Sequence, residues 1–156
     1  MLEWARAHGC PWDITTTERA ARFGHFDVVL YALHADCGVN FNVVVEAAGA
    51  LNAGGLRILT YLAEYGYFDD QIARCASEPL LAEMLATASV HAARAGNIDI
   101  IQFLHYRGFP WEERTCALAA YFGHFDILKW ARDHGSGVHA VKTRARKQLV
   151  AGVYTC

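Results

Sequence analysis

Several patterns are missing from this sequence of 156 residues, and each absence removes a class of protein. No apolar stretch approaches the ~18 residues that predict a membrane-spanning helix. The N-terminus has no charged segment followed by an apolar one, so no signal peptide is predicted. The cysteines are odd in number and widely spaced, without a C-x-x-C pair, which indicates neither a disulfide framework nor a zinc site: Cys10, Cys37, Cys75, Cys116 and Cys156. We expect an intracellular, cytoplasmic chain.

Signatures of catalysis and of cofactor binding are also missing. The eight histidines include no H-x-x-x-H or H-E-x-x-H spacing, and the glycines form neither G-x-G-x-x-G nor G-K-[ST]. No catalytic motif surrounds Cys10 or Cys116, and a nucleophilic cysteine needs a nearby base. We therefore expect no enzyme, no cofactor and no metal site. His25 and His124 are predicted to bond to nearby backbone at a turn.

Composition favours a folded helical chain, because 54% of the residues are hydrophobic, 19% are charged and only three are proline. The net charge of −2 predicts no nucleic-acid partner for the chain as a whole. Residues 136–156 differ, with four basic and no acidic side chains. We interpret this segment as a basic cap or a frayed end; a nucleic-acid or localisation signal at 142–147 is the alternative.

The strongest feature that is present is an internal repeat. An alanine pair followed by a glycine and then an acidic residue recurs at Ala20–Val29, Ala92–Ile101 and Ala119–Leu128, with a worn copy at Ala50–Leu59. An aromatic residue follows each copy, and with an earlier tryptophan the series is Trp4, Tyr31, Tyr61, Phe103 and Trp130. The first and last intervals between successive residues of this series are equal and predict a repeat unit of roughly 27 residues, with insertions in the second and third intervals. Such regularity predicts a stacked repeat protein.

Each unit has the pattern of a helix, a turn and a second helix. Gly24, Gly96 and Gly123 fit the left-handed residue that ends a helix. An acidic residue then falls in the first turn of the next helix, where the helix dipole favours negative charge: Asp27, Asp99 and Asp126. One such pair cannot bury its apolar face alone, so we predict an all-α solenoid.

These residues resemble ankyrin repeats, through Ala-Ala followed by Gly-His-Phe-Asp-Val-Val and Gly-His-Phe-Asp-Ile-Leu. The Gly-Cys-Pro-Trp-Asp linker and Trp-Ala-Arg segment are similar to a short variant found in the large ankyrin-repeat families of giant DNA viruses of amoebae. The resemblance covers 1–135, with a gap at about 67–86, and implies about four to five degenerate units with little or no β-hairpin. Their predicted bounds are roughly 1–12, 13–40, 41–68, 69–111 and 112–135.

The resemblance implies a monomeric protein–protein interaction module, whose partner contacts the concave face formed by the first helices. In the family, the two residues before the turn glycine vary on that face. Transferred to this chain, these candidate binding residues are Arg22, Phe23, Asn52, Ala53, Arg94, Ala95, Tyr121 and Phe122. We expect a protein partner, no nucleic acid and no membrane association.

The chain departs from the family in several places. The unit is shorter than the usual ~33 residues, and Thr-Pro-Leu-His is absent, with Thr16 and Thr115 in place of its threonine. Pro-Trp replaces the projecting hairpin, so we expect the tryptophan to pack between repeats. Ser77 is predicted to cap a long helix over 80–95, after a short helix near 70–76. The chain begins inside a second helix, which favours an alternative in which it is a non-binding fragment of a larger or decayed protein.

Overall fold

A computed structural model describes residues 7–9, 12–35, 37, 39–69, 72 and 77–134. Every long element in these residues is an α-helix, and no strand occurs among them. The helices, numbered along the chain, are α1 Ile14–Arg22, α2 Phe26–His34, α3 Phe41–Ala48, α4 Ala53–Glu64, α5 Pro79–Ala95, α6 Ile98–Tyr106, α7 Glu113–Tyr121 and α8 Phe125–His134. The all-α prediction is therefore confirmed for the described part of the chain.

The helices pack as four consecutive helical hairpins, α1–α2, α3–α4, α5–α6 and α7–α8. The first helix of each hairpin contacts the first helix of the next, and the second helices contact one another in the same order. The core consists mainly of aliphatic side chains between these two rows, among them Ile58, Leu62, Ile100 and Leu104. Each hairpin thus buries its apolar face against its neighbours rather than against a single central element.

Local sequence explains where the helices begin and turn. The side chains of Asp13 and Asn40 accept backbone hydrogen bonds at the starts of α1 and α3, which satisfies amides that the helix leaves unpaired. The predicted acidic residues do lie in the first turns of α2, α6 and α8. Gly24, Gly96 and Gly123 have φ between +66° and +78°, so the predicted left-handed turn is confirmed at all three positions.

The paired alanines bring the first helices close together. Both members of each pair are buried in α1, α3 and α5. In α7 the two alanines differ, since Ala119 is buried whereas Ala120 is exposed. In the earlier hairpins the second alanine is covered by the hairpin that follows. α7 belongs to the last hairpin that the structure describes, so no following described hairpin covers Ala120 there.

The second hairpin corrects the repeat alignment. Its alanine pair is Ala47–Ala48, at the end of α3, and the N-cap of its second helix is Asn52. Asn52 follows His25, the N-cap residue of the first hairpin's second helix, by one uninterrupted repeat unit. The N-cap residue of the third hairpin's second helix, Asn97, comes much later in the sequence. The predicted worn copy at 50–59 is therefore three residues out of register, and Ile58, not Tyr61, occupies the position of Tyr31. All of the inserted length therefore lies between the second and third hairpins' second helices, and none lies between the first and second.

That insertion lengthens α5 and the segment before it. α5 runs for 17 residues, from Pro79 to Ala95, so the predicted long helix is confirmed, although its N-cap is Glu78 and not Ser77. Phe68 is buried in the preceding segment and meets Phe109 edge-to-face, with 5.4 Å between ring centroids. This contact anchors the inserted segment to the connector after α6. The predicted short helix near 70–76 lies largely outside the described residues.

The connector tryptophans pack on the hairpin that follows them. Trp12 meets Tyr31 at 5.2 Å, and Trp111 meets Trp130 at 5.9 Å between ring centroids. The two pairs are equivalent in the repeat, and each joins a connector to the second helix of its own hairpin. Because Trp12 and Trp111 end the predicted units 1–12 and 69–111, both contacts join one predicted unit to the next, as expected.

The two threonines at the same repeat position, Thr16 and Thr115, differ in burial. Thr115 is buried, but in the first hairpin the buried threonine is Thr17, whereas Thr16 is half-buried. Most of the first predicted unit, 1–12, and the basic segment 136–156 lie outside the described residues. Among the described helices, none is both long and apolar enough to span a bilayer.

Candidate functional site

A shallow groove of about 370 Å³ runs along the ends of the first helices, where each hairpin turns. Six of its lining residues are candidates from the sequence: Arg22, Phe23, Asn52, Arg94, Ala95 and Phe122. The other four are Glu46, Gly49, Leu51 and His91. We call this surface the turn groove. It receives side chains from all four hairpins, so the stacking of the repeat creates it and no single hairpin contains it.

Hydrogen bonds between successive turns hold the groove in shape. Asn52 donates from Nδ2 to the carbonyl oxygen of Phe23 at 2.8 Å, while its Oδ1 accepts from the amide of Gly54 at 3.0 Å. In the second half of the chain, Nε2 of His124 lies 3.3 Å from the carbonyl oxygen of Arg94. Two equivalent turn positions therefore reach back to the preceding hairpin.

The turn histidines behave differently from one another. The contact of His124 with backbone agrees with the predicted role, although the carbonyl belongs to the preceding hairpin. The side chain of His25 makes no capping hydrogen bond at the start of α2 and instead lies beside the Phe23 ring. The prediction that both histidines bond to backbone is thus correct for His124, and the structure describes no such bond for His25.

Basic side chains outnumber acidic ones in the turn groove. Nε of Arg22 lies 3.7 Å from Oε2 of Glu46, and the Arg22 side chain remains 67% exposed. A surface ion pair of this kind contributes little to stability, so the guanidinium keeps most of its capacity to bind another anion. Arg94 is exposed and makes no ion pair with the described residues. The groove therefore presents a local excess of positive charge.

His91 lies in the same charged cluster, half-buried against α3. Burial lowers the pKa of the His91 imidazole below its usual value because the charged form loses solvation. The Glu46 carboxylate opposes this shift, and the positive charges of Arg94 and Arg22 add to it. His91 is consequently a neutral donor and acceptor near neutral pH, and protonation would add a third cation to the groove.

Exposed apolar side chains flank these charges. Phe23 is 62% exposed at one end of the groove and Phe122 is 44% exposed at the other, with Leu51 at 87% between them. Arg22 and Arg94 line the same groove as these side chains. Aromatic residues and arginine are the side chains that most often carry the binding energy of protein interfaces.

The structure places two candidates, Tyr121 and Ala53, outside the groove lining and corrects the helix to which Asn52 and Ala53 were assigned. Tyr121 does not line the groove; its ring is 82% exposed and meets Phe122 edge-to-face at 5.1 Å. Asn52 lines the groove, but as the N-cap of the second helix α4, and Ala53 is the first residue of α4. Both were predicted to end a first helix. The residues that follow the alanine pair in this hairpin are Gly49 and Ala50.

Sequence reasoning missed Glu46, Gly49, Leu51 and His91. Glu46 and His91 each directly precede a buried alanine pair, so both project from the same position of the repeat. Leu51 stands where the other hairpins have their turn glycine, and this substitution concealed the register. The uninterrupted repeat step from Ala20–Ala21 to Ala47–Ala48 was the signal that could have found them.

The environment of Cys116 is that of a packed side chain. The thiol is buried and accepts a hydrogen bond from Nε1 of Trp111, at 3.3 Å between N and Sγ. Burial raises the pKa of the Cys116 thiol more than the Trp111 bond lowers it, and only the thiolate is an effective nucleophile. Cys10 lies outside the described residues. No three His, Cys, Asp or Glu side chains in the described residues are grouped as metal ligands.

Comparison with known proteins adds no relative to this description. No protein-family model, no curated protein and no solved structure matches the chain significantly.

Proposed function

We propose that this chain is an ankyrin-type repeat module that binds a protein partner through the turn groove. The observation that carries the proposal is the convergence of side chains from four hairpins on one open surface. Ordered repeats build extended binding surfaces in this way, because each unit adds one row of side chains to its neighbour's. No catalytic role is proposed, since the chemistry of the groove offers charge and apolar area but no activated nucleophile.

Three features support the ankyrin-type assignment. The first and second helices form two separate rows, a glycine with positive φ ends the first helix in three of the four hairpins, and an acidic residue starts three of the second helices. The short repeat unit leaves only brief connectors at 35–40 and 107–112, which agrees with the short variant described above. These features concern architecture, and the binding role rests on the groove.

The exposed apolar residues favour binding over a purely structural role. Large apolar side chains that cluster on an open surface raise the free energy of the isolated protein in water, and a partner that covers them reverses this. Phe23, Leu51 and Phe122 are exposed in a groove that also contains two guanidinium groups. The arrangement suits a partner that brings both apolar and polar contacts.

Photo-crosslinking tests the proposal at the residue level. A photoreactive phenylalanine analogue replaces Leu51 in the groove, and a second variant carries it at Leu80, which is 73% exposed in α5 and does not line the groove. We expect a discrete protein adduct from the Leu51 position that disappears when Phe122→Ala is added. Equal adducts from both positions, or none from Leu51, would contradict the proposed surface. Circular dichroism checks that each variant stays helical.

A further inference from the structure

The charge of the turn groove is opposite to that of the chain around it. Residues 1–135 carry 10 basic and 16 acidic side chains, whereas the groove contains Arg22 and Arg94 against the single carboxylate of Glu46. A local cationic surface on an acidic chain concentrates anionic ligands at that surface and repels them elsewhere. The groove is therefore electrostatically selective for an anion.

The same groove contains apolar side chains as well as charged ones. Phe23 ends the groove next to Arg22. Phe122 and Leu51 provide further apolar area, and all three side chains are exposed to solvent. A ligand with carboxylates alone would leave these three apolar side chains exposed to water. A wholly apolar ligand would leave the guanidinium groups without counter-charges. A mixed ligand satisfies both.

Resting on the protein-binding role above, we propose that the partner presents an acidic peptide segment carrying an aromatic or large aliphatic side chain. Its carboxylates pair with Arg94 and Arg22, and its apolar side chain packs between Phe122 and Leu51. The guanidinium plane matches a carboxylate in two parallel hydrogen bonds, which gives the contact direction as well as strength. The open groove admits an extended segment of a few residues.

A peptide fits these observations better than a nucleic acid. A polyanion extends beyond the groove and meets the acidic surroundings, while a short acidic segment places its charge only at the cations. Glu46 lies within the groove and would face a continuous phosphate backbone, whereas a peptide can place an uncharged residue beside it. Nucleic-acid binding is an outcome that the experiment distinguishes.

Fluorescence anisotropy with labelled synthetic peptides tests the proposal on the full chain. One peptide has glutamates around a central phenylalanine, a second replaces the glutamates by glutamine, and a third replaces the phenylalanine by alanine. We expect the first to bind most tightly and to weaken as salt is added. Arg94→Glu should weaken it by about tenfold or more, as expected when a charged hydrogen bond is lost. Arg114→Glu, an exposed arginine of α7 outside the groove, should leave binding unchanged.

Equal binding of the glutamate and glutamine peptides, or equal loss in Arg94→Glu and Arg114→Glu, would overturn the proposal. A single-stranded oligonucleotide that binds more tightly than the peptide in an Arg94-dependent way would replace it with a nucleic-acid ligand. An unbiased displayed-peptide library distinguishes failure of the acidic-partner proposal from failure of the protein-binding proposal. Non-acidic binders that Phe122→Ala abolishes would leave the protein-binding role intact and remove the acidic partner. Binders that no groove substitution affects would remove both.

Discussion

Asn52 and Phe23 join two hairpins through a single side chain. Nδ2 of Asn52 donates to the Phe23 carbonyl oxygen at 2.8 Å, while Oδ1 of the same side chain caps α4. The same side-chain amide thus binds the turn after α1 in the first hairpin and caps α4 in the second hairpin. The bond couples the shape of the turn groove to the stacking of the hairpins, since the groove residue Phe23 belongs to the first hairpin and Asn52 to the second.

Replacing Asn52 by alanine should destabilise the protein more than replacing Asn97. Both residues cap a second helix through their side chains, and the loss of such a cap costs about 1 kcal/mol. Asn97 caps α6 and has no described bond to another hairpin, so it is the matched control. We expect Asn52→Ala to cost about 0.5–1 kcal/mol beyond Asn97→Ala. Urea unfolding followed by circular dichroism measures the difference, and equal losses would show that the Phe23 bond contributes nothing.

Gly96 and Gly123 separate backbone strain from packing. Both have φ near +75°, so alanine strains either position by about 1–2 kcal/mol. A Cβ at Gly96 would lie 2.4 Å from the His124 ring, whereas a Cβ at Gly123 would meet nothing within 4 Å. Gly96→Ala must therefore displace His124 from the Arg94 carbonyl and should lose about 1 kcal/mol more than Gly123→Ala. Thermal or urea unfolding of the two variants tests this order, which similar stabilities would refute.

Gly54→Ala should destabilise the protein although alanine is the better helix former. Intrinsic propensity alone predicts a gain of about 1 kcal/mol in α4. A Cβ at Gly54 would lie 1.9 Å from the carbonyl oxygen of Gly24, which is backbone and cannot move aside. Overpacking of this kind costs about 1–3 kcal/mol, so we expect a net loss. The exposed Ala117→Gly change in α7 calibrates the propensity scale. A more stable Gly54→Ala protein would show that the two hairpins can separate at this point.

His91 should make stability depend on pH. Its pKa is lowered in the folded state, chiefly by burial, so the unfolded chain binds the proton more readily. Stability from the neutral imidazole is complete above the ordinary value of 6.5 and declines as pH falls through the interval below it. The charged groups that face it are Glu46 on α3, Arg94 on α5 and Arg22 on α1.

Paired unfolding curves of the parent and His91→Gln from neutral to mildly acidic pH isolate this contribution, because the other titrating groups are common to both. The free energy of unfolding of the parent should fall relative to that of His91→Gln as the solution is acidified. Parallel pH profiles would indicate that the imidazole has the same pKa in the folded and unfolded chain.

The sequence predicted the hairpins where each local signal was present and failed where one was replaced. Gly24, Gly96 and Gly123 marked their turns correctly because a left-handed residue strongly favours glycine. In the second hairpin Leu51 takes that place, while Gly54 and Gly55 a few residues later imitate the signal. Those two glycines instead allow α4 to approach backbone of the neighbouring elements. Local patterns could not reveal this, because the requirement comes from tertiary contacts, with the first hairpin at Gly54 and with α3 at Gly55.

The candidate site was predictable in part for the same reason. Arg22, Phe23, Arg94 and Phe122 follow alanine pairs whose register was correct, and all four line the turn groove. Asn52 also lines it, but through a role the alignment did not foresee. Glu46 and His91 lie on the other side of their alanine pairs, and their approach to Arg22 and Arg94 depends on how adjacent hairpins stack.

The inserted segment between α4 and α5 has little entropic consequence. It makes that connector, 65–78, more than twice as long as the connector 35–40 between α2 and α3. Since closure entropy grows only with the logarithm of length, the extra residues disfavour the ordered chain by about 0.7 kcal/mol. Burial of Phe68 against Phe109 is comparable to or larger than this, as a buried aromatic contributes about 1.5–3 kcal/mol. Further length can therefore be inserted at this junction at little entropic cost, whereas a deletion that removes Phe68 loses its contact with Phe109.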